Sequence, residues 1–120
     1  MRPPQIREEG GVLIVTLDDA VSVNDGMASH LRQPIYQAVL DRTTPRVAVD
    51  LSLIDYLSSS GIALLIGIKR RVDQVKGRLV LFQIHPDVLD LLNSMRLATL
   101  FQIAVHQDEA LELLPPLPDA

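Results

Sequence analysis

Ser58, Ser59 and Ser60 stand in a row before Gly61, where an apolar run with strand character gives way to a longer run with helical character. Hydroxyls at the mouth of a helix have three chemical uses. They can accept hydrogen bonds from the free N–H groups of the first turn, carry a phosphoryl group at the positive end of the helix dipole, or attack an electrophile when a base stands nearby. The last use is poorly served here. A hydrolase-type strand-to-helix turn places glycines two residues either side of its serine, and around Ser59 only Gly61 fits, with Leu57 in the upstream place. The available bases, His30, His85 and His106, lie in no motif, so no catalytic residue is assigned and the chain is not expected to be an enzyme. The same histidines are too scattered for a metal site. No G-x-x-x-x-G-K-[ST] phosphate loop is present, and Gly61 and Gly67 fall inside a helical pattern, so no cofactor is expected. One hydroxyl suffices to cap a helix, a bond worth roughly 1 kcal/mol, and Ser58 is placed for it. Ser59 and Ser60 invite another use, and a phosphoryl group there would add about two negative charges beside an apolar surface.

The elements that position these serines follow from periodicity. Residues 12–17 (VLIVTL) enter from Gly10-Gly11 as a first strand. Residues 18–25 are acidic and turn-rich, with room for a short strand at 21–23, and Asn24-Asp25-Gly26 supplies the cap for a helix carrying Ala28, Leu31, Ile35, Ala38 and Val39 on one face. Pro34 interrupts that face, which predicts a kink there or a regular helix starting near it. Residues 47–51 (VAVDL) form the strand that leads to the serines. Residues 62–76 form the helix after them, with Gly77 as its C-cap and Lys69, Arg70, Arg71 and Lys76 towards the negative end of its dipole. Its first half is apolar nearly all round, which fits burial or, for part of the surface, a docked partner. Residues 79–84 form a further strand, and His85-Pro86-Asp87 opens a helix faced by Val88, Leu91, Leu92 and Met95. A last strand at 100–105 and a short helix at 108–114 complete the series before Pro115 and Pro116. Strand and helix alternate from Val47 onward, so the class is α/β with parallel neighbours.

Composition limits the partners. The 120 residues suit one domain, 11–114, between an N-terminal extension at 1–10 and a C-terminal tail at 115–120. With 48% hydrophobic residues, 3% aromatics and no Trp, the core must be aliphatic. Fifteen acids against eleven bases give a net charge of -4, which opposes binding to nucleic acid. The opening MRPPQIREEG lacks the apolar core of a signal peptide, and no run approaches the roughly 20 apolar residues of a membrane span. A soluble, cytoplasmic protein without membrane insertion is expected.

Residues 47–69, VAVDLSLIDYLSSSGIALLIGIK, closely resemble the signature of the STAS domain found in anti-sigma factor antagonists and at the ends of sulfate transporters. Residues 77–103, GRLVLFQIHPDVLDLLNSMRLATLFQI, look like the family's next strand, helix, leucine corner and final strand, and 11–17 resemble its opening strand. The resemblance implies a small mixed sheet of four to five strands packed against about four helices. In the antagonists the signature ends in Asp-Ser-Ser/Thr-Gly, and a partner kinase phosphorylates the first hydroxyl residue. Aligned on Gly61, that role falls to Ser59, with Ser60 as its neighbour and Ser58 in the place of the aspartate. In the loop after the first strand, Asn24 takes the position of a second family aspartate with Asp25 beside it. The resemblance implies docking of an anti-sigma factor, a serine kinase of the histidine-kinase-like ATPase type, through the Ser59 loop and Ile62, Leu65 and Ile66, with phosphorylation opposing docking. It also admits a STAS subunit of a transport assembly in which Ser59 is structural.

Overall fold

Three runs rich in β-branched and aliphatic residues, Val12–Thr16 (β2), Arg46–Asp50 (β3) and Arg78–Phe82 (β4), pair in parallel and bury both their faces. A computed structural model describes residues 5–9, 11–17, 25–41, 45–54 and 59–114. Gln5–Glu9 (β1) pairs antiparallel with β2, and Gln102–Ala104 (β5) pairs parallel with β4, giving a five-stranded mixed sheet in the order β1-β2-β3-β4-β5. Four helices accompany it among the described residues: Asp25–Leu40 (α1), Ser59–Gln74 (α2), Pro86–Ser94 (α3) and Gln107–Glu112 (α4). The α/β class and the strand and helix numbers expected for a STAS fold are therefore present. None of the described helices is long and apolar enough to cross a membrane.

Each parallel connection must carry the chain back along the strands, and right-handed crossovers put successive helices on one face. Leu13, Val15, Val47, Val49, Leu79 and Leu81 accordingly meet Ile35 and Val39 of α1, Leu64, Ile68 and Val72 of α2, and Val88 and Leu92 of α3. The other face, with Val12, Ile14, Ala48, Val80, Phe82 and Ala104, is closed by Ala110 and Leu114 in and just after α4. Between α1 and α2 the Tyr36 hydroxyl lies where a side chain on Gly67 would be, and the Arg71 guanidinium stacks 3.8 Å above the Tyr36 ring.

Several expectations are corrected. Residues 5–9 are not part of an extension but the edge strand β1, held to α4 by bonds from Arg7 Nη2 to Gln107 Oε1 (2.7 Å) and from Gln107 Nε2 to Glu9 Oε2 (3.0 Å). Of the two alternatives at Pro34, a regular helix starting near it is overturned, because α1 begins at Asp25 and runs through this exposed proline. The 3-10 turn Ala98–Leu100 shortens the last strand to Gln102–Ala104. The short strand expected at 21–23 and the tail at 115–120 lie outside the described residues.

Gly77 follows the left-handed residue instead of being it. Lys76 holds φ at 57°, its N–H donates to Asp73 O (3.1 Å), and the Gly77 N–H donates to Val72 O (2.8 Å). This is a Schellman ending with lysine at C′. Glycine is needed one place later because a Cβ there would collide with the carbonyl oxygen of Pro45, which accepts the Arg78 N–H (2.9 Å). Gly77→Ala should therefore lower stability by about 1–3 kcal/mol, as overpacking does. Lys76→Gly should raise it by about 0.5–1 kcal/mol by removing the left-handed penalty. Urea denaturation of the two variants would check both signs; equal midpoints would contradict this account of the turn.

Candidate functional site

All four helices follow strands of the parallel set, so their N-termini gather at one edge of the sheet, outside the carboxyl ends of β2, β3, β4 and β5. In open α/β sheets such an edge, with its free N–H groups and positive dipole ends, is where ligands and partners are met. The chain leaves β3 under tight control. The Asp50 carbonyl accepts the Leu17 N–H (3.2 Å), the Leu51 N–H reaches Phe82 O (3.1 Å), and Asp50 Oδ1 accepts the Ser52 N–H (2.9 Å). Asp50 is buried, as is Thr16, its register partner on β2. The Thr16 hydroxyl has no hydrogen-bond partner, which leaves an unsatisfied donor beneath the turn.

Ser59 and Ser60 open α2 at this edge, three residues before the start expected from the apolar pattern. Asp25 opens the neighbouring α1, so the backbone brings Asp25 and Ser59 to the same edge. Ser58 and Asn24 lie outside the described residues. Gly61 is buried in the first turn of α2. The side chains expected to touch a partner need correction: Ile62 and Leu65 belong to the core, with Leu65 only 1% exposed, because this face of α2 covers the sheet. Of the three, Ile66 alone keeps partial exposure.

The residue that sequence reasoning missed is Leu53. It stands 52% exposed in the turn after β3, held between the Asp50–Ser52 bond and a bond from the Ile54 N–H to Leu51 O (3.1 Å). The sequence signal was the set of aliphatic residues Leu51, Leu53 and Ile54, which continues past the aspartate able to end the strand. Val105, after β5, is exposed on the same edge. The edge is acidic: Asp87 lies in the first turn of α3, Asp108 and Glu109 in that of α4, and among the described residues no lysine or arginine stands there. His85 caps α3, its Nδ1 accepting the Asp87 N–H (3.2 Å).

A family model described as the STAS domain matches residues 3–110, beginning before β1 and ending within α4. The chain is 30% identical over 100 residues to BtrV of Bordetella bronchiseptica, a protein assigned as an anti-sigma factor antagonist, covering 83% of this chain and 84% of BtrV. A STAS domain protein of Planctomyces limnophilus superposes with a TM-score of 0.83 at 17% identity, over 93% of this chain and 97% of that one. The phosphorylated form of SpoIIAA, a Bacillus cell fate determinant, superposes with a TM-score of 0.66 at 19% identity, over 92% and 97% of the two chains.

Two substitutions test the turn that carries Leu53. Asp50→Ala removes the bond to the Ser52 N–H and should cost about 1–2 kcal/mol. Thr16→Val removes an unsatisfied buried hydroxyl and should be neutral or stabilising by up to about 1 kcal/mol. Thermal unfolding of each variant gives the comparison, and destabilisation by Thr16→Val would show that its hydroxyl has a partner in solution.

Proposed function

This chain belongs to the STAS domain family, and from that premise we propose that it is a protein-binding regulator of the anti-sigma factor antagonist kind, switched by phosphorylation of Ser59. The observation that carries the reading is the position of Ser59 at the first residue of α2, on the edge where all four helices begin. The partner is an anti-sigma factor that is also a serine kinase of the histidine-kinase-like ATPase type. No chemical step is performed by this chain; its Ser59 hydroxyl is the acceptor in a reaction that the partner catalyses.

Physically, the unmodified edge offers a neutral serine, the exposed Leu53 and the half-covered Ile66 for docking. Ile62 and Leu65 contribute indirectly, by fixing α2 on the sheet so that its first turn holds one position. A phosphoryl group on Ser59 meets the N–H groups and positive dipole end of α2, so it is tolerated by the fold. Docking is what it opposes, since burying a dianion beside Leu53 carries a desolvation cost that the free protein does not bear. Ser58, in the place of the family aspartate, leaves that position neutral before modification.

Incubation with the purified kinase and ATP, followed by mass spectrometry of the peptide spanning 58–60, should place the phosphate on Ser59. A phosphate on Ser60, or none, removes the assignment. In a binding assay with the same partner, Ser59→Asp should weaken association by about tenfold or more, as loss of one well-placed contact does, while Ser59→Ala stays competent. Leu53→Ser should also weaken binding by about tenfold with an unchanged melting temperature, since the side chain is exposed in the free protein.

A further inference from the structure

The opposite edge of the sheet, away from Ser59, holds a cavity of about 360 Å³ between the end of α2, the start of β4 and the 3-10 turn Ala98–Leu100. It exists because the chain turns sharply at Lys76–Gly77 into β4, while the 3-10 turn shortens the last strand at the far wall. Lys69, Asp73, Arg78 and Gln102 supply its polar lining, and Leu79 and Leu100 its apolar lining. Lys69 Nζ is held by both oxygens of Asp73 at 2.9 Å. Among the described residues neither the Arg78 guanidinium nor the Gln102 amide has a hydrogen-bond or ion-pair partner, and Leu100 stays 47% exposed at the rim.

We infer that this cavity binds a small carboxylate with an aliphatic chain. Two cations against one carboxylate leave the lining with a surplus of one positive charge, which a monoanion balances. An unpartnered guanidinium is a planar fork that matches a carboxylate with two parallel bonds. A phosphate dianion would overshoot the surplus and face Asp73. Leu79 and Leu100 give the chain an apolar wall, and the volume lies at the lower end of the roughly 300–1,000 Å³ typical of ligand pockets, which sets the size of the guest. Lys76 and Arg96, exposed just after α2 and α3, add positive charge close to this edge.

The test is an amide NMR titration of the full chain with sodium hexanoate, with 1-hexanol and inorganic phosphate as separate probes. Hexanoate should give saturable shifts at Gly77, Arg78, Leu79, Leu100 and Gln102, and both controls should bind about tenfold more weakly or not at all, because each lacks one of the two recognised features. Arg78→Gln and Leu100→Ser should each weaken hexanoate by about tenfold while leaving thermal unfolding in place, as both side chains are exposed. Absence of saturable shifts at these amides, or equal binding by Arg78→Gln, overturns the proposal. Tighter binding of phosphate than of hexanoate overturns the carboxylate assignment, and equal binding of hexanol removes the role of charge.

Discussion

Parallel strand pairing governs this molecule. A parallel partner cannot be reached by a tight turn, so each of the connections from β2 to β3, β3 to β4 and β4 to β5 has to recross the sheet. The recrossing elements are α1, α2 and α3, and their handedness puts them on one face. Among the described residues every α-helix therefore begins at the same edge. Ser59, Asp25, the His85 cap and the exposed Leu53 are brought to one edge by that requirement. The fold supplies a surface with aligned N–H groups before any functional residue is specified.

Strongly patterned elements were legible in the sequence for the same reason that they are stable. The runs at 12–17 and 47–51 are apolar on both faces because both faces are covered, and α2 shows its stripe because one side lies on the sheet. β1 was not legible because QIREE carries one aliphatic residue. Its place comes from pairing with β2 after Gly11, at a φ of 81°, and from the polar clasp of Arg7 and Glu9 on Gln107. Gly77 was recognised as special for the wrong reason. A helix-ending glycine suggests a left-handed φ, whereas here the constraint is the nearby Pro45 carbonyl, a tertiary contact that no local pattern reveals.

The candidate site divides in the same way. Ser59 could be placed at a helix start from the strand, serine and apolar-run order alone. Ile62 and Leu65 were misread as partner-facing because the start of α2 is apolar nearly all round, and composition does not say which arc meets the sheet. Leu53 escaped notice because its exposure depends on where β3 ends, which is decided by the Asp50 carboxylate bonding to the Ser52 N–H. The side chain that ends the strand thus also determines which leucine is left in water.

Among the described residues the basic side chains gather towards one end of the strands. Asp87, Asp108 and Glu109 stand at the edge where helices begin, and Arg46, Lys76, Arg78 and Arg96 at the opposite one, where Asp41, Asp73 and Glu112 are mixed with them. Each helix contributes roughly half a positive charge at its start and half a negative charge at its end, and at the starts of α3 and α4 side-chain carboxylates oppose the backbone dipole. The first turn of α2 carries no acid, so its positive dipole end is left open. A phosphoryl group on Ser59 would meet that open dipole end and would still add about two negative charges to an edge that already holds Asp87, Asp108 and Glu109. Modification would then alter the approach of a charged molecule before any contact is made.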